Sequence, residues 1–114
     1  MLIYLCSQAC VVTRPIGWIN TLSPFGTANL APYSEFNNLA FDPPYVMFGA
    51  DQKPPNTQKD TVRNVEAIGV FVWSLATYAL REAANATAEQ VEYDVGNFKK
   101  AGLKKQAVKC GGRG

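Results

Sequence analysis

The sequence contains no histidine, which removes the commonest proton shuttle and the usual base of a nucleophilic triad. Its cysteines, Cys6, Cys10 and Cys110, are three in number and form no CxxC pair. They support neither a zinc site nor a disulfide framework. No GxGxxG follows a strand pattern and no GxxxxGK[ST] is present, so the two familiar phosphate-loop signatures are missing. Charge is also scarce: 18% of residues are charged, with 11 basic against 9 acidic, and five of the basic ones, Lys99, Lys100, Lys104, Lys105 and Lys109, fall late. That cluster lies beside a Gly-rich end and reads as a solvated tail rather than a basic stripe across a folded body, so no nucleic-acid partner is expected. The apolar start, MLIYLCSQACVV, lacks a basic n-region and a small-residue cleavage site and is too short to span a bilayer. It is read as part of the fold, with no membrane partner and a cytoplasmic location expected. Acid–base hydrolysis and metal catalysis are both disfavoured by this inventory.

What is present is an ordinary globular composition, 47% apolar over 114 residues, enough for one core and one domain. Strand and turn signals dominate the first two-thirds. Ile16 to Leu22 and Thr27 to Tyr33 flank Ser23-Pro24-Phe25-Gly26 and predict a hairpin. Asp42-Pro43-Pro44 predicts an extended turn, since each proline fixes its own φ and disfavours helix in the residue before it. Tyr45 to Gly49 then reads as a buried strand and Val70 to Leu75 as another. Between them, Asn56 to Gly69 opens with polar starters and carries Val62, Val65 and Ile68 at three-residue spacing, a short helix with one buried edge. A second helix is expected from about Tyr78 to Ala88 with Thr77 as N-cap, and a third small one carrying Val95, Phe98 and Lys99 before Gly102. A sheet of four or five strands needs a covering layer or closure into a barrel to bury its inner face. The expected class is therefore mainly β with short helices, one domain over residues 1–103, and a flexible basic and Gly-rich tail over 104–114.

Two segments carry groups suited to an anion. Asn29 to Asn37 ends a strand and supplies a hydroxyl at Ser34, an amide at Asn37 and backbone N–H groups. Lys59-Asp60-Thr61 supplies a cation, a hydroxyl and the N–H groups of a helix start. Each has an ordinary reading beside the functional one: Ser34 and Asn37 as turn caps, Lys59 and Thr61 as a solvated, capped helix start. Arg14 is an anion contact or a surface charge. Trp18, Trp73 and Phe48 are stacking platforms for a planar cofactor or simply core.

In order and spacing, Arg14-Pro15-Ile16-Gly17-Trp18-Ile19, Asn29 to Asn37, Asp42 to Phe48 and Lys59-Asp60-Thr61-Val62-Arg63-Asn64-Val65 resemble the motifs of the flavin reductase-like, FMN-binding split-barrel family. The resemblance runs over about residues 9 to 103 and implies a split β-barrel that forms a homodimer and holds FMN, with NAD(P)H as reductant in many members. It assigns flavin and phosphate contacts to Ala31, Pro32, Tyr33, Ser34 and Asn37, with Thr21 and Leu22 on the adjoining strand and Lys59 and Thr61 at the phosphate. The implied activity is electron transfer from NAD(P)H to flavin, with a non-catalytic FMN-binding or interaction module as the alternative. Glu35 stands where the family has an aromatic residue, which places a carboxylate beside the anion contact unless it turns away. The family continues for several strands beyond Ala101-Gly102-Leu103, so an incomplete barrel is expected at the C-terminal end.

Overall fold

The computed structural model describes residues 10–52, 54–88 and 102–104. The expected third helix at Val95 to Lys99 and the tail from residue 105 onward lie outside the described residues. Five strands are present among those described: β1 (Gly17–Leu22), β2 (Ala28–Tyr33), β3 (Phe36–Ala40), β4 (Tyr45–Phe48) and β5 (Val72–Leu75). Two helices accompany them, α1 (Asp60–Ile68) and α2 (Arg81–Ala88), the latter entered through a 3-10 turn at Tyr78–Leu80. An antiparallel sheet has the order β2-β1-β5, and β3-β4 form a separate antiparallel hairpin. These described strands do not close a barrel.

The β1–β2 hairpin forms as expected, with Gly17 opposite Tyr33 and Leu22 opposite Ala28. Its loop closes through Ser23 N–H to Thr27 O at 2.8 Å and Gly26 N–H to Ser23 O at 2.9 Å. Gly26 adopts φ 84°, a left-handed value that glycine reaches without Cβ strain. The buried Ser23 hydroxyl accepts from Thr27 N–H at 3.1 Å and fixes the turn from within.

Strand alternation divides the sheet into two apolar faces. On one, Trp18, Ala28 and Leu30 pack against Ala84 of α2. Trp18 Nε1 donates to Thr87 Oγ1 at 2.9 Å, and Thr87 Oγ1 donates to Ala84 O at 2.8 Å, so the indole's polar handle is satisfied inside that layer. On the other face, Ile19, Tyr33 and Phe36 form a cluster that Ala31, Val46, Phe48 and Phe71 extend. The Phe36 ring lies on Gly17, where a Cβ would overlap Phe36 Cδ2 and Cγ. Glycine there allows the β3–β4 hairpin to seat on the sheet.

Several expectations change. The strand at Tyr45–Phe48 is not buried: Tyr45 is 58% and Met47 46% exposed, because a two-stranded hairpin packs only its Val46 and Phe48 side. Its partner β3 is a strand where the sequence reads as loop. The helix over 56–69 starts later, at Asp60, with Asn56 at φ 79° in the turn before it, and ends as expected at left-handed Gly69, whose N–H bonds Val65 O at 2.7 Å. Its buried edge is polar rather than apolar: Thr61 and Asn64 are each 1% exposed, while Val62 and Val65 are half-buried and Ile68 is exposed. Thr77 precedes the 3-10 turn as its N-cap but makes no side-chain capping bond.

Candidate functional site

The polar edge of α1 meets a polar patch on the sheet. Thr21 of β1 and Asn29 of β2 are register partners, on the face that also carries Ile19 and Tyr33. Asn64 Nδ2 donates to Thr21 Oγ1 at 3.1 Å, and Asn29 Nδ2 donates to Thr61 Oγ1 at 2.9 Å. Four side chains from three elements thus pair across a seam in which Thr21, Thr61 and Asn64 are buried and Asn29 partly so, which is how buried polar groups avoid an unmatched desolvation cost.

Tyr33, further along β2, lies beside this seam. Its ring carries the Lys59 ammonium at 5.3 Å from the centroid, within cation–π range. Burial pushes the Tyr33 phenol above its ordinary value of 10.0; the Thr61 side chain pulls it partly back and the Asp60 carboxylate adds to the rise. A neutral buried phenol therefore forms the floor beneath Lys59. Lys59 is the N-cap of α1, and its ammonium lies over the Tyr33 ring.

The structure thus brings Lys59, Thr61 and Tyr33 together, with Thr21 joined through Asn64. Ala31 packs beneath, in the Tyr33 cluster. It does not gather the remaining expected residues at the same point. Leu22 is exposed on the strand end. Pro32 and Ser34 line a groove of about 460 Å³ beside α2 with Ile16, Ala76, Arg81 and Asn85. Asn37 lines a second groove of about 460 Å³ with Arg14, Glu35 and Met47. Asn37 Oδ1 accepts from Asn38 N–H at 2.9 Å, the local turn-type bond open to asparagine.

The Glu35 carboxylate rests over Gly49, where a Cβ would stand 2.5 Å from Oε2. The carboxylate acting on Tyr33 is Asp60. Of the candidate platforms, Trp18 is core at 5% exposure, Phe48 packs on Tyr33 with ring centroids 5.1 Å apart, and Trp73 is partly exposed with its ring tilted on Phe36 at 5.1 Å. The sequence reading missed Asn64. The signal available for it was its i+3 spacing from Thr61, which places both on one face of the helix. Among the described residues no group of three His, Cys, Asp or Glu is placed to hold a metal ion, and no helix is long and apolar enough to cross a membrane.

With this geometry in place, the fold aligns with proteins of the split-barrel type. No family model matches the chain. Nitrilotriacetate monooxygenase component B from Bacillus cereus superposes with a TM-score of 0.82 at 26% identity, covering 93% of this chain and 54% of that one. The 2-nitrobenzoate 2-nitroreductase NbaA of Pseudomonas fluorescens gives 0.78 at 24% identity over 96% of this chain and 51% of its own. A Shewanella frigidimarina protein described as a flavin reductase with split barrel domain gives 0.72 at 22% identity, covering 84% of this chain and 46% of its own. By sequence, the chain is 39% identical over 99 residues to an uncharacterized protein of Aquifex aeolicus, of which it covers 50%, and 33% identical over 100 residues to the uncharacterized YwrF of Bacillus subtilis, of which it covers 48%. The chain spans about half the length of the relatives and structures it matches.

Proposed function

We propose that this chain is an FMN-binding, flavin reductase-like protein that passes electrons from NAD(P)H to flavin. The observation that carries the reading is the Lys59–Thr61–Tyr33 cluster, assembled from a helix start and a strand end in a fold shared with split-barrel proteins. The donor set fits a phosphate: one cation and the backbone N–H groups at the positive end of a helix, Thr61 among its first residues, above a phenol that stays neutral. The Asp60 carboxylate opposes the anion, and the Lys59 ammonium together with the helix N-terminus would have to outweigh it.

Lys59 and Thr61 would hold the phosphate, with Ala31 packed beneath, while Pro32 and Ser34 would meet the ring system from the groove beside α2 and Asn37 from the second groove. When bound, the flavin supplies the hydride-accepting ring that the protein's own side chains lack. This chain's part is to bind, orient and exclude water, and the absence of histidine is no obstacle to that role. The same reading assigns one domain to residues 1–103, a cytoplasmic setting, and a homodimer. Exposed Leu39, Phe41, Tyr45 and Met47 on the β3–β4 hairpin are the kind of apolar surface a second copy would cover.

A second reading is a non-catalytic FMN-binding or interaction module, favoured by Glu35, a carboxylate where the family has an aromatic residue. Anaerobic visible spectroscopy separates the two. Protein loaded with FMN, freed of excess and then given NADH should bleach if it is a reductase. Retained flavin that does not bleach is the module, and failure to retain or turn over flavin at all rejects both.

A further inference from the structure

We infer that Asn64, together with Asn29, positions the anion contact: the two amides set the height and roll of α1 on the sheet, and thereby where the Lys59 ammonium stands. The inference rests on the FMN reading above and concerns two residues to which that reading gives no part.

Lys59 immediately precedes α1, so its ammonium moves wherever the helix moves. Apolar packing holds α1 only loosely, because Val62 and Val65 are half-buried and Ile68 is exposed. The side chains of α1 that are fully buried are Thr61 and Asn64, three residues apart on one helical face. They meet Asn29 and Thr21, which face each other across the β1–β2 ladder. The result is a four-cornered seam: two strand partners on one side, an i,i+3 helix pair on the other, and one amide-to-hydroxyl bond at each end. Apolar contacts tolerate sliding, whereas two directional bonds to two different strands define one position. Asn29, Thr61's partner in the seam, stands on the same face of β2 as Tyr33, and Thr61 acts on the Tyr33 phenol, so the seam leads to the ring beneath Lys59. Neither amide is placed here as a phosphate ligand; each acts through Lys59 and Thr61.

The test is a double-mutant cycle read by ligand choice. Dissociation constants for FMN and for riboflavin, which lacks the phosphate, are measured for the parent, Lys59→Ala, Asn64→Ala and the double variant. Asn64→Ala should weaken FMN about tenfold, the size of a charge-assisted bond lost, while riboflavin changes less than about twofold. In the Lys59→Ala background the same substitution should have a clearly smaller effect on FMN, because only the Thr61 contact remains to be displaced. A purely structural role would instead weaken both ligands together and add to Lys59→Ala, which would overturn the inference. If Asn64→Ala does not fold, Asn64→Ser and Asn29→Ala take its place in the same cycle. A parent that binds FMN no better than riboflavin overturns the functional reading and this inference with it. A parent that discriminates through Lys59 but not through Asn64 or Asn29 overturns this inference alone.

Discussion

Replacing Gly17 by alanine adds one methyl group at the point where the two sheets of the molecule touch. The Phe36 ring lies against Gly17, 7% exposed, and also meets Trp73 with centroids 5.1 Å apart and the rings tilted. The ring is therefore confined between the β1 backbone and an indole, so it can yield only by moving the whole β3–β4 hairpin. Overpacking of this kind costs about 1–3 kcal/mol. In a domain near this size each kcal/mol lowers Tm by about 4 °C. Urea and thermal unfolding followed by tryptophan fluorescence should show a loss in that range with little change in m. Phe36→Leu in the Gly17→Ala background should recover part of it, because the smaller side chain clears the methyl. A Gly17→Ala protein as stable as the parent, or a double variant whose losses simply add, would refute the account of how the hairpin seats.

Two further outcomes follow from other parts of the fold. Trp18→Phe removes the 2.9 Å bond to Thr87, and a cycle with Thr87→Val should give a coupling of about 0.5–1.5 kcal/mol in urea denaturation; additive losses would show that the bond adds nothing to the packing of α2. The Tyr33 phenol, raised above 10.0 by burial, contributes stability that is fully present below pH 10 and is lost as pH rises through the raised folded value. Alkaline unfolding should therefore be shallower in Tyr33→Phe, and an ultraviolet phenolate titration of the folded protein should lose a tyrosine that titrates above 10.0 in that variant. Identical alkaline profiles would contradict the burial assignment.

Parts of this architecture are legible from the residues alone. Gly26 between two apolar runs announces the β1–β2 hairpin, and Gly69 announces the end of α1. Others are hidden for physical reasons. Asn37 and Asn38 disguise β3 as loop, since their side chains face solvent and only Phe36 reaches the core. The start of α1 is obscured by Asn56 and Thr57, which look like caps although the helix begins at Asp60. The valine spacing of α1 points to an apolar edge, whereas the helix buries Thr61 and Asn64 because the strands beneath offer Thr21 and Asn29. Periodicity reports which residues are apolar, not which surface they meet. The meeting of Lys59 with Tyr33 depends on how a helix is laid over a sheet, and no spacing rule reaches across that distance. The motif resemblance proposes the pair as one site; the geometry shows the two side chains in contact.

Calorimetric titration of FMN and riboflavin into the parent and Lys59→Ala decides whether the Lys59 cluster holds a phosphate. FMN affinity should fall by about 10- to 100-fold in Lys59→Ala, the equivalent of roughly 1.5–3 kcal/mol for a charge-assisted contact, while riboflavin binds both proteins alike. FMN binding unchanged by the substitution, or a parent that binds neither flavin, would contradict it.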